Sequence, residues 1–191
     1  IAANALIQRR GARTALITTQ GFRDVLFIQR QDKSTVYDMF YQKPPPLIGR
    51  DAVFEINERM DAKGAVITPV IEADIVELID RIADDFGADS IAICLLHAFA
   101  NDVHEQVVER IAREIGFTEI STSSRLSPLI RIVARGDTTV ADAYLNPILR
   151  DYVDRLRRSL GDSTLRMMTS AGGLVDADQF VGKDSILSGP A

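Results

Sequence analysis

Residues 90–120 read SIAICLLHAFANDVHEQVVERIAREIGFTEI, and this stretch decides the fold. Ser90 to Leu96 is nearly continuous apolar, the pattern of a strand covered on both faces. Asn101 is placed to cap a helix whose inner stripe is Val103, Val107, Val108, Ile111 and Ile115, and Gly116 stops it. Phe117 to Ile120 then returns as a neighbouring strand. Strand, helix and strand in that order predict a parallel pair joined by a right-handed crossover. The class is α/β.

Outward from this unit the same alternation continues. Arg13 to Thr19 is β-branched and apolar and reads as a strand, and Gly21-Phe22-Arg23-Asp24 turns the chain before the apolar run Val25 to Ile28. Lys43-Pro44-Pro45-Pro46 predicts a stiff extended loop without amide donors. Alternation over 52–57, turn chemistry at Asp61 to Gly64 and the run 65–67 predict a hairpin. Thr68-Pro69 suits an N-cap and first helical position for a helix carrying Ile71, Ile75, Leu78, Ile79, Ile82 and Phe86, with Gly87 as its stop. Toward the C-terminus, a long helix is expected over 137–160, kinked at Pro147. A strand over 165–168 is expected to run into Ala171-Gly172-Gly173, and 185–187 begins another element. A composition boundary falls at Ser121 to Ser124.

Composition narrows the function. Of 191 residues 46% are hydrophobic and 26% charged, which suits a soluble globular chain large enough to need no disulfide or metal staple. Its single cysteine, Cys94, lies inside the apolar run and reads as a core hydrophobe in a reducing, cytoplasmic setting. Net charge is −5 with the signs interspersed, so no nucleic-acid footprint is expected, and no apolar stretch approaches the ~20 residues a membrane span requires. His97 and His104 read as a strand-end and a helix-cap histidine, without the further ligands a metal site needs. Arg131, Arg135, Asp137 and Asp142 read either as a local salt network or as a polar site facing a cleft. Ser170, Gly172 and Gly173 form a small-residue turn in which backbone N–H groups can converge on a phosphate or a substrate. No GxxxxGKS/T or GxGxxG motif is present, so residue chemistry alone leaves the function open.

Six segments in order carry a resemblance: GARTALITTQGFRDVL (11–26), KPPPLI (43–48), LLHAFANDVHE (95–105), RGDTTVADAYLNPIL (135–149), MMTSAGGL (167–174) and KDSILSGPA (183–191). Together they resemble the N-terminal ATPase region of the hydantoinase A/5-oxoprolinase family, closest to its 5-oxoprolinase-like branch. Ile132-Val133-Ala134 departs from the tyrosine- and glutamate-containing segment of other members. The resemblance implies a fragment of an actin-like (ribonuclease H-like) ATPase fold with a mixed sheet and flanking helices. Residues 1–124 would belong to the N-terminal region and 125–191 to the start of the ATPase domain. It implies an ATP- and Mg²⁺-dependent opening of a lactam or hydantoin ring, with ketone carboxylation or a non-enzymatic module as alternatives. The partners implied are the remainder of the polypeptide and a hydantoinase B-type subunit or domain. Ser170, Gly172, Gly173, Ser188 and Gly189 are the expected cleft-lining residues, with Arg135, Asp137 and Asp142 as second choices and no metal ligand. The two phosphate loops of the family are expected outside residues 1–191, so the chain alone is expected to be inactive and to bind Mg-ATP only weakly.

Overall fold

The computed structural model describes residues 2–30, 37–160, 165–177 and 180–186. Its centre is a four-stranded sheet of β1 (Thr14–Thr19), β2 (Val53–Ile56), β5 (Ser90–Cys94) and β6 (Ile120–Thr122), in the order β2-β1-β5-β6. Every pairing in it is parallel. The expected neighbours β5 and β6 pair directly, with Ile91 opposite Ile120. Antiparallel pairing is confined to two ribbons, β3 (Arg59–Met60) with β4 (Val66–Thr68) and β7 (Arg166–Met168) with β8 (Leu174–Asp176).

Strand periodicity divides the core into two layers. Ala15, Ile17, Ile91 and Ile93 face α3 (Glu72–Arg81) and α4 (Val103–Ile115), meeting Ile75, Ile79, Val108 and Ile111. Leu16, Ala92 and Cys94 face the other way, toward Leu26 of α2 (Val25–Ile28) and Val140 and Ala143 of α6 (Ile132–Leu160). A strand buried on both faces needs apolar residues at both parities, which is why β5 reads as an unbroken run. A third cluster seats α1 (Ala2–Ile7) against Tyr144, Leu145 and Leu149. Two further short helices are α5 (Ser123–Leu126) and α7 (Gly182–Ser185), and a single 3-10 turn, Arg50–Ala52, leads into β2.

Several local expectations change. Residues 53–56 pair in parallel with β1, and the hairpin is built from 59–60 with 66–68 instead. Thr68 stays in that ladder opposite Arg59, so it does not cap a helix; α3 starts at Glu72 after the extended Ile71. The stop at Gly87 stands: a wide turn over 82–86 closes on Gly87 at φ +66°, a conformation glycine adopts without a Cβ penalty. The last long helix begins at Ile132, five residues early, with Arg135 N–H already bonded to Arg131 C=O (3.0 Å). It continues through Pro147 without a break in its helical run. Buried Ala143, Tyr144, Leu145, Leu149 and Val153 hold both halves against the body, offsetting one lost amide donor.

The predicted strand 90–96 ends at Cys94, and the reason is chemical. Leu95 N–H donates to the Glu105 carboxylate (3.0 Å), Leu95 C=O accepts from the Arg135 guanidinium, and Leu96 N–H donates to Thr19 Oγ1 (2.9 Å). Side chains from α4, α6 and β1 thus take the groups a ladder would need.

Cys94 is 2% exposed. Burial pushes its thiol pKa above the ordinary 9.0, and this outweighs the opposing pull of the nearby Arg135 cation. Charged groups, Arg135 and Glu105, thus lie near a thiol that the sequence places in an apolar run, and burial still keeps it inert. Native protein should react with a thiol reagent only through unfolding, and labelling as fast as in denaturant would contradict the placement. Above pH 9.0 the unfolded chain loses the thiol proton first, so stability falls as pH rises through and beyond that value.

Candidate functional site at the carboxyl ends of the parallel strands

In the order β2-β1-β5-β6, the chain leaves β1 toward one side and β5 toward the other. The crevice between their carboxyl ends is the topological switch point, where open α/β sheets place ligands. Three buried polar groups converge around it. Thr19 Oγ1 donates to Glu58, whose other carboxylate oxygen lies 2.7 Å from His104 Nδ1. Glu105 accepts Leu95 N–H, Ser123 Oγ–H (2.6 Å) and Ser124 N–H (2.9 Å). Arg135, with 0% of its surface exposed, donates to Leu95 C=O and Leu129 C=O (3.2 Å) and lies over the Phe99 ring at 5.7 Å. Glu105 and Arg135 grip the two sides of the Leu95 residue from opposite layers.

This grip leads directly into His97, which sits at φ +60°. A left-handed backbone at a non-glycine residue is strained and is sustained only where the surroundings over-determine it. The His97 ring packs edge-on to Phe99 at 5.9 Å, and its buried Nδ1 has no hydrogen-bond partner among the described residues. Arg135 Nε is a second buried nitrogen without one. His104 is not a cap: Asn101 Oδ1 takes Val103 N–H (3.1 Å), and His104 turns inward to Glu58.

A second network lies beside β6. Asp142 accepts from Ser121 Oγ (2.8 Å), Asn146 Nδ2 (3.0 Å) and Lys183 N–H (2.8 Å), and Asn146 Oδ1 accepts Gly182 N–H (2.7 Å). A Cβ on Gly182 would stand 2.8 Å from Asp142 C=O, so only glycine permits this approach of α7 to α6. Of the two readings of this group the salt network does not form, since among the described residues no ion pair joins any two of Arg131, Arg135, Asp137 and Asp142. Arg135 and Asp142 instead bond separate sets of protein groups, and Asp137 faces outward into a cavity of about 300 Å³ beside the proline loop.

The glycine turn is the tip of the β7–β8 ribbon. Thr169 N–H bonds Gly173 C=O (2.8 Å), Gly172 takes φ +81°, and Ser170 donates through both N–H and Oγ–H to Asp184 C=O. Ser188 and Gly189 lie outside the described residues. Among the described residues no group of three His, Cys, Asp or Glu side chains is placed to hold a metal, and no helix is long and apolar enough to cross a membrane.

Glu58, Glu105 and Asn146 escaped the sequence reading. Glu105 was the legible one, because it shares a helical face with the apolar Val108 and Ala112. A carboxylate on a buried stripe requires donors, and the structure supplies three.

Fold and site together define a doubly wound α/β unit in which buried charged side chains clamp the carboxyl end of β5. The Hydantoinase/oxoprolinase N-terminal region model matches residues 1–116, and the Hydantoinase/oxoprolinase model matches 135–191. The chain belongs to the hydantoinase/oxoprolinase family. It is 35% identical to the 5-oxoprolinase of Saccharomyces cerevisiae over 220 residues, covering 100% of this chain and 17% of that protein. The acetophenone carboxylase gamma subunit of Aromatoleum aromaticum is 32% identical over 208 residues, covering 100% and 28%. The crystal structure of ATP-dependent caprolactamase from Pseudomonas jessenii superposes with a TM-score of 0.89 at 30% identity, covering 99% of this chain and 28% of that one. The chain therefore spans well under a third of each of these relatives.

Proposed function

We propose that this chain is part of an ATP-dependent cyclic amidohydrolase that opens a lactam or hydantoin ring. One observation carries the reading: 99% of this chain superposes on an ATP-dependent caprolactamase, and its full length aligns with 17% of a 5-oxoprolinase. In such a reaction ATP supplies a phosphoryl group that turns a poor amide electrophile into one water can open, and the protein contributes positioning and charge stabilisation. Overall, one ATP and two waters are consumed, giving ADP, phosphate and the ring-opened amino acid.

Nucleotide and Mg²⁺ are proposed to be held chiefly by the remainder of the polypeptide, and a B-type subunit or domain is proposed to complete the enzyme. Ser170, Gly172 and Gly173 are proposed to line one wall of the cleft through the exposed tip of their ribbon. The clamp on Leu95 is proposed to fix the carboxyl end of β5 against it. Ketone carboxylation is the second reading, favoured by the match to the acetophenone carboxylase subunit.

The complete polypeptide, supplied with ATP and assayed on 5-oxoproline, lactams and hydantoins, should release ring-opened product only when ATP is present. ATP-independent hydrolysis would sink the reading, and bicarbonate-dependent consumption of a ketone would replace it with the second. The 191-residue chain is expected to bind Mg-ATP no tighter than millimolar, because a turn offering a few backbone hydrogen bonds at ~1 kcal/mol each falls far short of the about 8 kcal/mol of micromolar affinity.

A further inference from the structure

Between the proline loop and α6 lies a cavity of about 300 Å³ that none of the networks above uses. Its walls are apolar, chiefly Leu26, Ile48, Val140 and the three prolines. They are also held in place. The Arg9 guanidinium donates to Pro45 C=O and Pro46 C=O, and Lys43 Nζ donates to Phe27 C=O (3.2 Å). Only two side chains in this lining carry polar groups, Gln29 and Asp137. Neither the Gln29 amide nor the Asp137 carboxylate has a hydrogen-bond or ion-pair partner among the described residues.

Two further features mark the place as built. Gln29 sits at φ +56°, ψ −153°, a strained conformation for any residue with a Cβ, yet the position holds a long amide where glycine would relax the backbone. Asp137 keeps accessible surface, but its apolar surroundings push its carboxyl pKa above the ordinary value of 3.8, through desolvation alone. A carboxylate in apolar surroundings gains from any N–H brought to it.

We propose that this cavity binds a small neutral molecule by the H–N–C=O edge of an amide held in a ring. The Gln29 side-chain N–H donates to the ligand carbonyl, the Asp137 carboxylate accepts the ligand N–H, and the ring methylenes lie against Leu26, Val140 and the prolines. An amide constrained in a ring presents donor and acceptor on one side, so two complementary groups in one small cavity suit it. The inference rests on the cyclic-amide reading above for the ligand class, and adds where such a ring sits and which rings fit. Asp137 disfavours a ring that carries its own carboxylate.

The test is a titration of the 191-residue chain followed by NMR, with 2-piperidone, N-methyl-2-piperidone and 5-oxoproline as probes. The probes are small, so dissociation constants of order millimolar are expected. 2-Piperidone should shift the Gln29 side-chain amide and the Asp137 signals. The N-methyl compound lacks the N–H and should bind about tenfold more weakly, as should 5-oxoproline, whose carboxylate meets that of Asp137. Gln29→Gly and Asp137→Ala should each weaken 2-piperidone binding about tenfold. Gln29→Gly should melt no lower than the parent, which separates loss of a ligand contact from loss of structure. Equal binding of the N-methyl compound, tighter binding of 5-oxoproline, or shifts confined to other residues would overturn the proposal. Ring opening by the complete polypeptide without lactam binding here would sink this placement and leave the amidohydrolase reading intact. Binding here without any ATP-dependent ring opening would do the reverse.

Discussion

Glu105→Ala should destabilise the chain by about 3–4 kcal/mol, shifting a urea midpoint by roughly 2 M for an m-value near 2 kcal/mol/M. Glu105 is 1% exposed and satisfies three donors at once, from Leu95, Ser123 and Ser124. Alanine leaves all three facing a space with no acceptor, and a buried donor left unsatisfied costs about 1–3 kcal/mol. The three losses do not simply add, since a water admitted to the space satisfies some of them. Glu105→Gln separates the contributions. Its carbonyl oxygen still accepts on one side, but its NH₂ confronts a donor on the other, so it should fall between wild type and alanine. A Glu105→Ala protein with an unchanged midpoint would mean that these bonds are not made.

The second large effect belongs to Arg135. Arg135→Ala should cost about 3–5 kcal/mol, because it removes a fully buried side chain, takes the Arg135 donor from Leu129 C=O and leaves Leu95 C=O only the long bond from Ala98 N–H (3.4 Å). Arg135→Met should cost less, since methionine refills most of the volume and the remaining loss is the hydrogen bonds. Chemical denaturation of the two variants checks the order, and a methionine variant as unstable as alanine would show that charge, not packing, dominates. Glu105 and Arg135 hold the N–H and C=O of the same residue, so their effects should couple. A double-mutant cycle should return at least about 0.5 kcal/mol of interaction, whereas strict additivity would argue against a shared clamp. Hydrogen exchange gives a local readout: the amides of Leu95 and Leu96 should exchange faster in both variants, while that of Ile17 in β1 follows global stability only.

These effects lie where the sequence is hardest to read. Arg135 stands near Asp137 and Asp142 in the chain, and all three sit on α6, yet they serve different surroundings. Position 135 points into the sheet, 142 toward β6 and α7, and 137 toward the proline loop. A helix turns 100° per residue, so neighbours in sequence face different partners. The glycine turn at 171–173 was legible as a turn. That it tips a separate ribbon, and that Ser170 is tied back to Asp184, depends on a pairing partner at 174–176 that local pattern does not identify.

The α/β class, the strand–helix–strand unit over 90–120, the burial of Cys94 and the family are all legible in the sequence. Each rests on local signals: apolar periodicity, stop glycines and ordered motifs survive in one dimension because they record what every residue needs from its own burial. Only the tertiary structure decided that 53–56 joins β1 in parallel, that β5 ends at Cys94, and that His104 turns inward to Glu58. It alone brought Gln29 and Asp137, 108 positions apart, into one cavity. The physical reason is the same throughout. A polar group's partner is set by which surfaces the apolar core presses together, and that choice is made across the whole chain at once.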